Sequence, residues 1–418
     1  MKNIFYPKLI ESMKGYTKQK LINDIVAGII VAIIALPLSI ALALASGVTP
    51  ERGLYTAIVA GFVIALLGGS RVQISGPTAA FATIVAGIVF AKGLPGLAMA
   101  TVTAGGILIL MGLLRLGKLI KFIPHTITVG FTGGIALTLL IGQIKDFAGL
   151  TFTHSPIETM EKLAEVVKTF TTLNWQAILI GVISLAILII WPKIKYVNKI
   201  PPSLIAVIVS SGLVAILSMD VKTINSLGTV SSDLPKFTMP DFNLFVTMLP
   251  DAFTIALLAA IESLLSCVVS DGMINDKHNS NTELIAQGAG NICSALFGGI
   301  PATGAIARTA ANVKNGGKSP ISGMVHAVVL LLILVVLMPY ASLIPMPAIA
   351  AILFVVAYNM SEWREFVHIT KTSHFTDILV LVTTCALTVI FDLVVAIAVG
   401  MVMHYLFVLI KKLVTKKS

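Results

Sequence analysis

The sequence predicts an all-α polytopic membrane protein, on three observations: its composition, the number and length of its apolar runs, and the placement of its basic residues between them. Hydrophobic residues make up 57% of the 418-residue chain and charged residues 11%, whereas a soluble domain carries about 25% charged residues. A chain this apolar needs a bilayer to cover it. The three cysteines, Cys267, Cys293 and Cys385, fall inside apolar runs. They read as small buried hydrophobes, so neither a disulfide framework nor a metal site is expected.

Apolar stretches lie near residues 24–46, 52–68, 75–91, 96–115, 125–145, 175–191 and 202–219, then 251–270, 283–297, 303–313, 319–339, 346–359, 374–391 and 393–411. The first follows a basic amphipathic stretch and leads directly into the second, so it is a first span and not a cleaved signal peptide. The runs near 75–91 and 303–313 are too short or too broken to cross the bilayer core of about 30 Å, which takes about 20 helical residues. Each reads as an extended approach followed by a half-helix, which is tolerable only where exposed backbone lines a cavity. The count is 14 spans, seven in each half. Seven is odd, so the second half enters the membrane inverted: a seven-plus-seven inverted repeat with half-helices in spans 3 and 10.

Loop charges test that count. Lys2, Lys8, Lys14, Lys18 and Lys20 precede the first span; Arg115, Lys118 and Lys121 follow the fourth, and Lys193, Lys195 and Lys199 the sixth. Lys314 and Lys318 follow the tenth, Arg364 and Lys371 the twelfth, and Lys411, Lys412, Lys416 and Lys417 the fourteenth. By the positive-inside rule both termini are cytoplasmic, and a multi-pass protein of the plasma (inner) membrane is expected. The net charge of +10 is therefore mostly topology; no single basic stripe exists to bind nucleic acid. The loops near 146–174 and 220–250 then lie outside. In the first, Ile157, Met160, Leu163, Val167 and Phe170 recur at helical spacing, the pattern of an amphipathic helix resting on the protein or the interface.

The chemistry concentrates in two similar segments, Gly68-Gly-Ser-Arg-Val-Gln-Ile-Ser-Gly-Pro-Thr78-Ala-Ala-Phe and Gly298-Gly-Ile-Pro-Ala-Thr-Gly-Ala-Ile-Ala-Arg308-Thr-Ala-Ala. Gly/Pro-broken segments at matching places in two halves mark a secondary transporter's binding site. A helix that starts in mid-membrane aims free N–H groups and its positive dipole end at whatever is bound there. Two such starts facing each other make an anion site; the plainer reading is close-packing glycine.

Glu262 lies in an apolar run, where a charge costs at least about 2.5 kcal/mol. It is a candidate proton carrier, with Ser266 one turn along on the same face and able to hydrogen-bond it. A carboxyl that merely ties helices together is the alternative. Arg308, at the second helix start, must meet either an anion or a carboxylate, and a fixed pair with Glu262 stands as the second reading. Pro37 predicts a kink in the first span with Ser39 just beyond it.

The runs Ala35-Leu-Pro-Leu-Ser-Ile-Ala, Gly53-Leu-Tyr, Gly69-Ser-Arg, Gly76-Pro-Thr-Ala-Ala, Ile261-Glu-Ser, Ser270-Asp-Gly, Phe297-Gly-Gly-Ile-Pro-Ala-Thr-Gly-Ala-Ile-Ala-Arg-Thr and Ser319-Pro-Ile-Ser-Gly-Met-Val-His resemble, in this order, those of the SulP (sulfate permease) family of anion transporters. The resemblance runs from about residue 20 to 413. It implies a core domain (spans one to four and eight to eleven) and a gate domain (the rest), with elevator-like anion symport or exchange. The corresponding boundaries are a cytoplasmic segment 1–22, core 23–115, gate 116–219, an extracellular loop 220–250, core 251–341, and gate with a short tail 342–418.

The family's substrate positions map onto the stretch after Pro37, which holds Ser39, onto Pro77, Thr78 and Ala79, and onto Ala305, Ala307, Arg308 and Thr309. Its coupling carboxylate maps onto Glu262, with Ser266 beside it; the coupling ion is H+ or Na+. No catalytic residue, metal or cofactor is expected. The partners are a small inorganic or organic anion, the lipid bilayer and a second copy in a homodimer.

Leu38 stands where many sulfate-type members carry glutamine, so the anion stays open among sulfate, bicarbonate and dicarboxylates. Members usually continue into a cytoplasmic STAS domain, and this chain is expected to be a membrane domain without one. Two half-helix ends at about +0.5 each plus Arg308 give roughly +2, which suits a divalent anion, and an ionised Glu262 lowers that to about +1. A passive anion channel and a nucleobase permease are the rival classes. The permease reading expects an acidic residue where Arg308 stands.

Overall fold

The computed structural model describes residues 5–118, 124–154, 156, 158–195, 200–227, 231–391 and 393–415. Of the residues used above, Lys2, Lys121, Ile157, Lys199, Lys416 and Lys417 lie outside these. The helices are α1 (Lys8–Met13), α2 (Lys18–Ala45), α3 (Pro50–Leu67), α4 (Ala82–Leu113), α5 (His125–Ala148), α6 (Thr159–Lys168), α7 (Trp175–Ile190) and α8 (Pro202–Ile216). They continue as α9 (Leu249–Ile274), α10 (Ser280–Leu296), α11 (Ile306–Lys314), α12 (Ile321–Ala341), α13 (Met346–Met360), α14 (Trp363–Thr372), α15 (Phe375–Ile390) and α16 (Leu393–Thr415).

Local signals set their ends. Thr17 Oγ1 accepts the Lys20 N–H at the start of α2, Pro50 opens α3, and Asn279 Oδ1 accepts the Thr282 N–H at α10. Each satisfies, or dispenses with, an N–H that a helix start leaves unpaired. Asn275 closes α9 with φ 51°, the left-handed conformation that asparagine tolerates best after glycine.

Every apolar run of the sequence coincides with a helix, but the third and fourth are joined in α4, which turns at Gly93 (φ 64°, ψ −171°) just before Pro95. Among the described residues eight helices are long and apolar enough to cross a membrane, and α8, α15 and residues 395–410 form shorter apolar helices. α2 runs through Pro37 without losing helical assignment, so the expected kink does not break the span.

The helices pack in two groups. α2, α3, α4, α9, α10, α11 and α12 contact one another, and so do α5, α7, α8, α13, α15 and α16. The most extensive contact within the first is the crossing of α4 and α10, where a Cβ on Gly288 would stand 2.5 Å from the Gly105 carbonyl and one on Gly105 2.6 Å from the Gly288 carbonyl. Only glycine on both sides allows backbones this close. The groups meet where α2 touches α5, α8 and α13, and where α4 touches α5. Leu179, Ile208, Leu332, Val336, Val402 and Leu409 are exposed on the outer faces, an apolar belt that suits hydrocarbon.

The predicted amphipathic helix is present as α6, and its orientation is informative. Thr159 and Glu165 are buried against the protein, while Met160, Leu163, Val167 and Phe170 are exposed. The apolar face looks away from the protein, as an interfacial helix does.

Candidate functional site

The two glycine-punctuated segments come together. Strand β1 (Ser75–Gly76) pairs antiparallel with β2 (Thr303–Gly304), in the register Ser75 to Gly304 and Gly76 to Thr303. The Ala305 N–H extends the pairing to the Ile74 carbonyl at 2.9 Å, and Thr309 Oγ1 accepts the Ile74 N–H at 3.0 Å. From β1 the chain enters a helical turn at Ala79–Phe81 that leads into α4; from β2 it enters α11 at Ile306. No hydrogen bond from the N–H groups of Ala79, Ala80, Ile306 or Ala307 occurs among the described residues. Unpaired donors at two helix starts, tied by one strand pair, leave N–H groups of the kind that anions bind.

Neither start is capped by its own side chain. Thr78, in the capping position of the first, instead donates from Oγ1 to Glu262 Oε2 at 2.9 Å. Glu262 is half-buried on α9. Ser266 does not bond it; the Ser266 hydroxyl reaches Thr309 Oγ1 at 3.4 Å.

Arg308 is 3% exposed and forms no ion pair among the described residues, so the pairing with Glu262 does not occur. Its Nη2 donates to the Pro77 carbonyl, and its Nη1 is buried without a partner. A Cβ on Gly76 would stand 2.5 Å from that Nη1, so the guanidinium lies against the β1 backbone. A buried, always-charged group with an unused donor is free to act on a bound anion.

The site thus gathers Pro77, Thr78, Ala79, Ala305, Ala307, Arg308, Thr309, Glu262 and Ser266. Pro77 and Ala79 are buried, Ala305 is half-buried and Ala307 exposed. Ser39 is fully buried with an unpartnered hydroxyl, and its carbonyl backs onto Gly53, where a Cβ would collide with it. No described side-chain hydrogen bond joins Ser39 to the strands.

One set of supporting residues escaped the sequence reading. Glu283 Oε1 accepts from Gln73 Nε2 at 2.7 Å and Gln287 Nε2 at 2.8 Å, while Oε2 accepts the Gly69 N–H at 2.9 Å. Asn291 holds Ala302 through both its carbonyl and its N–H, and Asn312 Nδ2 reaches the Val72 carbonyl at 2.8 Å. Cys267 donates to Gln73 Oε1 at 3.0 Å. Extended backbone in an apolar surrounding needs such partners. The signal was available: Glu283, Gln287 and Asn291 recur every four residues along α10.

At the end of this bundle nearest the N-terminus, Arg71 pairs with Glu11 at 2.6 Å and Asp276 at 2.9 Å, and Lys8 with Glu11 at 2.9 Å. The Lys8 hydrogen bond first, then Arg71, holds the Glu11 carboxyl below the ordinary carboxylate range against the opposing effect of burial. These contacts pin α1 onto the first helix group.

Comparison with known proteins shows the family of the chain. The profile of the Sulfate permease family matches residues 21–384. The putative sulfate transporter YvdB of Bacillus subtilis (strain 168) is 46% identical over 398 residues, covering 94% of this chain and 74% of that protein. The bicarbonate transporter BicA of Picosynechococcus sp. is 33% identical over 396 residues, covering 90% of this chain and 68% of that one. A solved structure, the transmembrane domain of a cyanobacterium bicarbonate transporter BicA, superposes with a TM-score of 0.81 at 31% identity, over 91% of this chain and 98% of that domain. With the match spanning most of its length, this chain belongs to the sulfate permease family, whose relatives here are transporters and not enzymes.

Proposed function

We propose that this protein is a secondary active anion transporter that binds one small anion between the helix starts at Thr78–Ala80 and Ala305–Ala307. The observation that carries the reading is the strand pair that sets two uncapped helix starts side by side, with the unpartnered Nη1 of Arg308 against them. Free N–H groups satisfy an oxyanion's acceptors, and small residues let the backbone approach it.

In this reading the 14 apolar runs form a seven-plus-seven inverted repeat, with half-helices following β1 and β2 and both termini cytoplasmic. The group holding α2–α4 and α9–α12 is the core; the group holding α5, α7, α8 and α13–α16 is the gate. The core carries the anion past the gate in an elevator-like movement, and two copies form the working unit. Glu262 is the coupling group and exchanges a proton, because its one described hydrogen bond runs directly to the first helix start through Thr78. When Glu262 is ionised the site is roughly +1, and when it is protonated roughly +2, so protonation favours entry of the more highly charged anion.

Relatives named for sulfate and for bicarbonate both fit a site of this charge. Uptake of sulfate, a dicarboxylate and bicarbonate into proteoliposomes, with and without pH and sodium gradients, tests the proposal. Accumulation of one anion driven by a proton gradient is expected. Downhill flux alone, faster than about 10³ per second, would make it a channel, since enzyme-like turnovers rarely exceed that figure.

A further inference from the structure

Two cavities, of about 120 Å³ and about 170 Å³, lie in the seam where the two helix groups meet. Thr83 of α4 and Thr138 of α5 line both, and the larger reaches Ala80 in the first helix start. The α6 segment covers their other end: Lys162 lines the smaller, and Glu158 and Thr159 line the larger. By the topology proposed above, α6 is outside. Between the α6 segment and Ala80 of the first helix start, the cavities are lined by the hydroxyl-bearing Thr83, Thr138, Thr159 and Thr388.

The smaller cavity holds one charge of each sign, Lys162 from α6 and Asp146 from the last turn of α5. No ion pair within 4.0 Å engages either of them among the described residues. Lys162 is half-buried, and burial pulls its ammonium below the ordinary lysine range. A desolvated ammonium without a carboxylate partner gains most from an anion that comes within reach. Remove Lys162, and the only formal charge on this cavity is the Asp146 carboxylate, which repels anions; remove Asp146, and only the attraction is left.

We propose that this seam is the outer entrance of the anion pathway and that Lys162 and Asp146 are its specificity-determining pair, with Lys162 offsetting both the Asp146 carboxylate and the Glu158 carboxylate on the larger cavity so that anions can enter. The proposal rests on the transport reading above. Coulomb energies scale with ligand charge, so the pair discriminates divalent from monovalent anions at entry.

The test is sided uptake kinetics in proteoliposomes of known orientation, with whichever of sulfate, a dicarboxylate or bicarbonate the parent transports. Lys162→Gln is expected to raise the KM for anion supplied on the α6 side by about threefold or more, with kcat unchanged, and Asp146→Asn to lower it. Both effects should shrink at high ionic strength, Lys162→Arg should restore the parent KM, and the KM from the opposite side should not move. A second probe avoids dependence on these variants: Thr83→Cys should react with an impermeant methanethiosulfonate applied from the α6 side, and the transported anion should slow the reaction. If the parent transports but both charge variants keep its KM, or Thr83→Cys does not react from that side, the entrance assignment is overturned and the transport reading stands. If the parent moves no anion in either direction, both fall.

Discussion

Thr78 Oγ1 donates a 2.9 Å hydrogen bond to Glu262 Oε2, joining a carboxylate of α9 to the residue that precedes the first helix start. The same hydroxyl accepts no N–H from its own helix start. In the proposed reading this contact links coupling to binding, so a proton on Glu262 and an anion at Ala79 and Ala80 would affect each other at short range. Thermodynamic reciprocity then requires each to change the affinity of the other by the same factor.

Glu262→Gln should abolish the acceleration of uptake by an inward proton gradient while keeping anion affinity within about threefold, because glutamine keeps the volume and hydrogen bonding of a protonated glutamate but cannot titrate. Uptake by proteoliposomes with an imposed pH step is the measurement. A variant that still responds to the gradient like the parent removes Glu262 from the coupling role and brings sodium forward.

Arg308→Ala should weaken divalent anions more than monovalent ones. At an effective dielectric near 20 a unit charge about 5 Å away is worth about 3 kcal/mol per ligand charge before relaxation. After relaxation, losses of about tenfold for bicarbonate and about a hundredfold for sulfate or a dicarboxylate are expected. Equal losses for both charge types would assign Arg308 to holding the Pro77 carbonyl alone.

For topology, a single cysteine replacing Lys118 in a cysteine-free background should resist an impermeant maleimide in intact cells and react after permeabilisation. Labelling from outside would invert the assignment and with it the sidedness of α6.

The Glu11 carboxyl offers a check by pH. Its folded value lies below the unfolded one, so its contribution to stability is complete above the ordinary carboxylate range and fades as pH falls through the depressed value. Its side chain is 38% exposed, so after solvent screening the effect is about 0.5 kcal/mol or less. Glu11→Gln should lower the Tm of the purified protein slightly at pH 7, and the difference should vanish in acid. A constant difference at every pH would mean that packing, not charge, pins α1.

The sequence reading identified the helices because long apolar runs bounded by Gly, Pro and basic residues leave little alternative once a bilayer is the solvent. It also singled out the two segments that meet. It did not foresee how they meet: strands of two residues, Ser75–Gly76 and Thr303–Gly304, carry no readable period. Nor could a single chain say whether Arg308 turns to Glu262 or to the Pro77 carbonyl, since both satisfy a buried guanidinium on paper. The exposed apolar face of α6 was equally open, because moment alone does not tell whether protein or lipid covers it. Ser39 was placed at the site by resemblance and sits fully buried behind Gly53, without a described bond to either segment.

The proposed anion position lies between the two helix starts. The decisive measurement is equilibrium binding of sulfate, a dicarboxylate and bicarbonate to purified, monodisperse Thr78→Phe, since the substitution adds volume directly before Ala79 and Ala80 at a position outside the two-residue strands. Binding of every anion the parent binds should be lost, while Tm stays within about 3 °C of the parent. Unchanged affinity for all of them would place the site elsewhere.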